Sequence, residues 1–126
     1  MDSKEPKKTE ATRFFRSFRH AAAGIAFTFK HERNFQIHCF ISVLAAAAGI
    51  YFHLSAFEWV IVLILIAGML SLELMNTAVE KTVDLVSKEY RPLAKAAKDA
   101  AAGSVLVFAI LSFILGLVIF LPKIFG

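Results

Sequence analysis

The sequence predicts an all-α integral membrane protein with three transmembrane helices and an N-terminal amphipathic surface helix. Three observations carry that prediction. Of the 126 residues, 58% are apolar and only 19% are charged, too greasy a balance for an ordinary soluble domain of this size. The charges are segregated, leaving long apolar runs at 35–54, 59–79 and 100–121. A run of about 20 residues makes roughly 30 Å of helix, the thickness of a bilayer's hydrocarbon core. The formal net charge of +4 comes from basic residues flanking these runs. Anionic headgroups and phosphate-bearing ligands are therefore the expected partners, not nucleic acid.

Each element has its own signature. Residues 1–12 read as a polar tail without the apolar core and cleavage site of a signal peptide. Residues 13–126 read as one domain. Between 13 and 33, Phe14, Phe18, Ala21, Ala22, Ile25 and Phe29 fall on one helical face, opposite Arg16, Arg19 and Lys30. An aromatic face opposed to a basic one describes a helix lying in the headgroup layer. The first span, 35–54, carries no charge, although Gln36, His38 and Ser42 are polar. The single cysteine, Cys39, lies inside it, which rules out an intrachain disulfide and suggests a packed thiol. A turn at 53–56 leads to Glu58 and Trp59, the latter placed as an interfacial aromatic. The second span, 59–79, continues as helix to about Val86. Residues 87–93, with Pro92, form the loop; helix resumes at Ala94, crosses at 100–121, and is expected to stop at Pro122 and Lys123.

Lysine and arginine set the orientation. Thirteen of the fourteen lie either before the first span or between the second and third. The positive-inside rule places that side in the cytoplasm, with the N-terminus inside and the C-terminus outside.

The chemistry is concentrated on this inner rim. Glu73, Asn76, Glu80 and Asp84 are spaced by three, four and four residues, the spacing of neighbours along one face of a helix. All four therefore share one stripe. Glu73 has apolar residues on both sides and would lie roughly 9 Å below the inner surface. Ionisable groups at that depth are costly and mark functional sites by default. A shallow carboxylate such as Glu80 suits a hydrated divalent cation. A deeper, desolvated one suits accepting a proton. Glu32 precedes the first span, while Arg91, Lys98 and Asp99 add charge at the same level. No glycine-rich phosphate loop of either common type is present, so a nucleotide site has to be built from helix surfaces. His31 and His38 share a helical face but lack an evident third ligand and read as interfacial histidines. These groups support metal-assisted transfer to a membrane-embedded alcohol; proton relay or cation transport would use similar ones.

The segment Glu73-Leu74-Met75-Asn76-Thr77-Ala78-Val79-Glu80-Lys81-Thr82-Val83-Asp84 resembles the signature of the prokaryotic diacylglycerol kinase family, small membrane lipid kinases assembled as homotrimers. The resemblance runs from about Arg13 to Leu121. Around it, Arg33-Asn34-Phe35-Gln36 and the stretch from Pro92 to Asp99 look most like the Gram-positive branch, whose members phosphorylate undecaprenol for cell-wall synthesis. The resemblance implies an ATP- and Mg²⁺-dependent kinase of the bacterial cytoplasmic membrane, its active site at the cytoplasmic face.

By position, the resemblance makes Glu73 the general base and Glu32 and Glu80 the metal-holding carboxylates. It places Arg13, His20, Asn76, Asp84, Glu89, Tyr90, Arg91, Lys98 and Asp99 beside the nucleotide, together with the two metal-holding carboxylates. Arg13, Glu73 and Ala102 fall near the lipid. Three positions depart from the diacylglycerol-specific pattern: His20 stands for a tyrosine, His38 for an acidic residue and Ala102 for a serine. A different lipid alcohol accounts for such changes, because the carboxylates and Lys98 remain. A diacylglycerol kinase making phosphatidic acid is the nearest rival, and a non-catalytic scaffold or transporter the more distant one.

Overall fold

The structure is a computed structural model that describes residues 9–126; residues 1–8 of the expected tail lie outside the described residues. Four helices follow in order: α1 Glu10–His31, α2 Arg33–Tyr51, α3 Ala56–Val86 and α4 Pro92–Phe125. Three of them, α2, α3 and α4, are long and apolar enough to cross a membrane.

The helix boundaries follow from local chemistry. The Thr9 side chain accepts a hydrogen bond from the Thr12 backbone N–H and caps α1, with Glu10 in the first turn. Such a cap satisfies an orphan donor, and a first-turn acid suits the helix dipole. Residues 10–12 are therefore helical, which shortens the expected tail. Glu32, in extended conformation, is both the C-cap of α1 and the N-cap of α2. The surface-helix segment thus breaks one residue before its expected end at 33. Across the break, the Gln36 amide donates to the Phe29 carbonyl at 2.7 Å.

α2 ends at Tyr51, three residues short of the expected 54. Leu54 N–H bonds the Gly49 carbonyl at 3.1 Å and His53 N–H the Ile50 carbonyl at 3.3 Å. With His53 at φ 53°, this is a Schellman closure, in which a left-handed residue ends the helix. Ser55 and Glu58 then form a reciprocal capping box, which moves the start of α3 ahead of the expected Glu58. Pro92 occupies the first turn of α4, where its missing N–H costs nothing. Pro122 does not stop α4, contrary to expectation; the helix continues to Phe125. A proline so near the C-terminus removes a single backbone bond and leaves the last turn otherwise intact.

α3 is the central element: it packs most extensively on α4, then on α2, while α1 touches both α2 and α3. Its inward stripe is Val62, Met69, Glu73 and Thr77. At one end, Leu54, Val62 and Ile119 form a cluster joined by Trp59, Ile66 and Phe120. Lys123 pairs with Glu58 there at 3.1 Å. At the opposite end of α3 and α4, Lys98 pairs with Asp84. The long helices therefore carry a polar clasp at each end and an apolar middle. Few apolar side chains are buried, while Phe40, Ile64, Val107 and Phe113 all face outward. This is the inverse of a soluble domain, in which exposed apolar patches stay small.

Candidate active site

Glu73 is the buried carboxylate of α3, 4% exposed, between Met69 and Thr77 on the same stripe. Its Oε1 lies 3.2 Å from Nε2 of His38 on α2. His38, expected only as an interfacial histidine, thus has a carboxylate partner on the facing helix. His31 turns elsewhere: its Nδ1 lies 2.9 Å from the Phe27 carbonyl, and its ring stacks on Phe27.

Further along α3, the Asn76 amide donates to Glu80 Oε1 at 3.5 Å. The Asn76 carbonyl oxygen is buried and has no partner. Glu32, at the α1–α2 break, lies 3.6 Å from Lys81 Nζ. Glu80 stands two helical turns along α3 from Glu73, and the pair with Lys81 brings Glu32, from the α1–α2 break, onto the same helix. Among the described residues no cluster of three or more Asp, Glu, His and Cys ligands occurs. Glu80 and the unpartnered side-chain oxygen of Asn76 beside it are nevertheless hard oxygen donors of the kind Mg²⁺ accepts, its remaining positions filled by phosphate and water. The residues present fit that ion.

Next to this group lies a polar cleft of about 450 Å³ between the C-terminal end of α3, the 87–91 loop and the start of α4. Asp84, Glu89, Tyr90, Arg91, Lys98 and Asp99 all line it. Lys98 donates to Asp84 at 2.6 Å, and Lys95 pairs with Asp99. The Lys98–Asp84 pair lies beyond the apolar stretch ending at Val79. The hydrogen bond from Lys98 holds the Asp84 carboxyl below its ordinary range, and the same bond holds the Lys98 ammonium above its own. Hydrogen bonding to the charged form of each partner is the cause.

A second cavity, of about 500 Å³, is apolar and runs between α2, α3 and α4. Its lining extends from His38 and Ser42 at one end to Ile119 and Phe120 at the other. His38 thus stands where the apolar groove meets the buried carboxylate.

Not every expected site residue joins this assembly. Arg13 and His20 are exposed on α1, about 22 Å and about 12 Å along the helix from buried Thr28 at roughly 1.5 Å per residue. Among the described residues, neither side chain forms a hydrogen bond or ion pair with the rim. Ala102 is exposed on α4 and lines neither cavity. Sequence reasoning missed the contacts of Lys81, Lys95 and His38. Lys95 and Asp99 are four apart on a helix and were legible as a pair. The other two contacts depend on how α2 and the α1–α2 break pack on α3, which periodicity alone does not contain.

Comparison with known proteins decides the family. The sequence pattern described as prokaryotic diacylglycerol kinase matches residues 19–120. The chain belongs to the prokaryotic diacylglycerol kinase family. It is 55% identical to the undecaprenol kinase of Bacillus subtilis over 98% of this chain and 99% of that one. It is 44% identical to a diacylglycerol kinase of Synechocystis over 84% of this chain and 61% of the relative. A diacylglycerol kinase of Haemophilus influenzae is 28% identical over 80% of this chain and 86% of its own.

Proposed function

We propose that this member of the family is an undecaprenol kinase, moving the γ-phosphate of ATP to the lipid hydroxyl at the cytoplasmic face of a bacterial membrane. The observation that carries the reading is the junction at Glu73. There an apolar groove of about 500 Å³ meets, at His38, a buried carboxylate, and beyond it lies a cleft lined by several cations. The near end-to-end similarity to the Bacillus subtilis enzyme favours a polyprenol over diacylglycerol as substrate.

In this mechanism the lipid lies in the groove and presents its hydroxyl to Glu73. Glu73 takes the proton as the oxygen attacks the γ-phosphorus; the bond to the bridging oxygen breaks and ADP leaves. Low polarity around Glu73 leaves its carboxylate poorly solvated and therefore a better base. Lys98 and Arg91 offset negative charge on the phosphates from the cleft side. Glu32 and Glu80 would hold Mg²⁺, with Asn76 steering Glu80 and offering its free oxygen. When bound, Mg²⁺ supplies charge neutralisation across the phosphates. Arg13 and His20, exposed on α1, and Ala102, exposed on α4 one turn past Lys98, fit as contacts completed by lipid or by a neighbouring subunit in a homotrimer. The basic N-terminal helix would then rest on the headgroups, with the N-terminus inside and the C-terminus outside.

Lipid-dependent ADP release from purified protein tests the substrate. Undecaprenol is expected to give a kcat/KM at least about tenfold above that for diacylglycerol, roughly the 1.4 kcal/mol of transition-state discrimination that one pocket change supplies. Preference for diacylglycerol would replace this reading with its nearest rival. ADP release independent of any lipid alcohol would end the kinase assignment.

A further inference from the structure

We propose that His38 is the positioning residue for Glu73, holding one carboxylate oxygen so that the other is presented to the lipid hydroxyl at the groove's inner end. The inference rests on the lipid-kinase reading with Glu73 as base and adds the group that orients it.

Five observations converge on His38. Its Nε2 is 3.2 Å from Glu73 Oε1. Among the described residues it is the one side chain in an ion pair or hydrogen bond with Glu73. A carboxylate that is 4% exposed needs such a partner, because an unpaired buried charge is strongly disfavoured. The other carboxylates of the rim, Glu80 and Glu32, cannot serve, since like charges disfavour each other. Finally, His38 itself lines the apolar groove while Glu73 does not, so the imidazole stands between the lipid's path and its base.

The α2 backbone supports the geometry. The hydroxyl of Ser42 donates to the His38 carbonyl at 2.7 Å, within the helix that carries the ring. Glu73 occupies the inward stripe of α3, so its χ angles alone do not select one oxygen for the substrate. A donor on the facing helix does. A merely structural contact would fill space, whereas a positioning contact requires the N–H.

Two substitutions separate these possibilities. His38→Gln keeps an N–H near the position of Nε2, and His38→Leu keeps comparable volume without a donor. kcat is expressed per ATP-binding site, measured by ATP titration, so unfolded protein does not count. His38→Leu is expected to lower kcat about 10-fold or more, within the roughly 10²–10⁴ assigned to the base itself, with KM for ATP changed less than about twofold. His38→Gln is expected to recover most of the lost kcat. Equal rates for the two variants, whether both wild-type or both low, would overturn the inference. Glu73→Gln is assayed alongside. If it remains active, the base assignment is at fault; if it is inactive while the two His38 variants match, only the positioning role fails.

Discussion

At the scale of single residues, burial distinguishes Glu73 from the other acids on its stripe. Glu73 is enclosed by α2 and α3, whereas Glu80 is half-buried and Asp84 exposed. That gradient was legible in sequence as depth along the helix, because the apolar run ends between Glu73 and Asp84. The partner of Glu73 was not, since a residue 35 positions away in sequence becomes a neighbour only when α2 packs on α3. Asp84 and Lys98 illustrate a different use of charge. Lys98 lowers the carboxyl of Asp84, and Asp84 raises the ammonium of Lys98, so the pair stays ionised across neutral pH. The carboxylate part of the interaction is present above the unfolded Asp value and fades as pH falls through the lower folded one. Its exposure makes it a weak contributor to stability; under the proposed function it presents Lys98 to phosphate. Lys98→Met is expected to raise the Kd for ATP about tenfold, roughly one charge-assisted hydrogen bond, while the melting temperature in detergent stays nearly constant. Unchanged nucleotide affinity by titration calorimetry would remove Lys98 from the cleft's function.

At the scale of helices, local signals located the elements and packing trimmed their ends. The Ser55–Glu58 box is a readable sequence motif that starts α3. The early end of α2 was hidden because it depends on His53 adopting φ 53°, a conformation usually left to glycine. The failure of Pro122 to end α4 reflects its position, since a proline in the final turn forfeits little. The α3–α4 seam relies on a close approach at Gly68, where an added Cβ would run into the tip of the Phe108 ring. Gly68→Ala is expected to cost about 1–3 kcal/mol through overpacking, seen as a lower melting temperature in detergent. Adding Phe108→Leu is expected to return part of it, because contacting residues couple. Purely additive losses would show that the two do not meet.

At the scale of the whole molecule, apolar periodicity and length revealed the three candidate spans, and the acidic signature revealed the family. What the linear pattern could not contain is the convergence of separate segments: Glu32 beside Lys81, the 87–91 loop over Asp84 and Lys98, and His38 against Glu73. Each of these joins parts of the chain that meet only in three dimensions. The outward-facing apolar surfaces of α2 and α4 call for an apolar environment around them. The claim on which the account turns is that a greasy alcohol meets a water-borne nucleotide at one shielded carboxylate. The most direct measurement is ADP release by Glu73→Gln reconstituted with undecaprenol, paired with ATP titration of the same sample. The account predicts turnover reduced at least about 100-fold, as loss of a general base implies, with ATP affinity within about twofold of wild type. A variant turning over at near wild-type rate would contradict it.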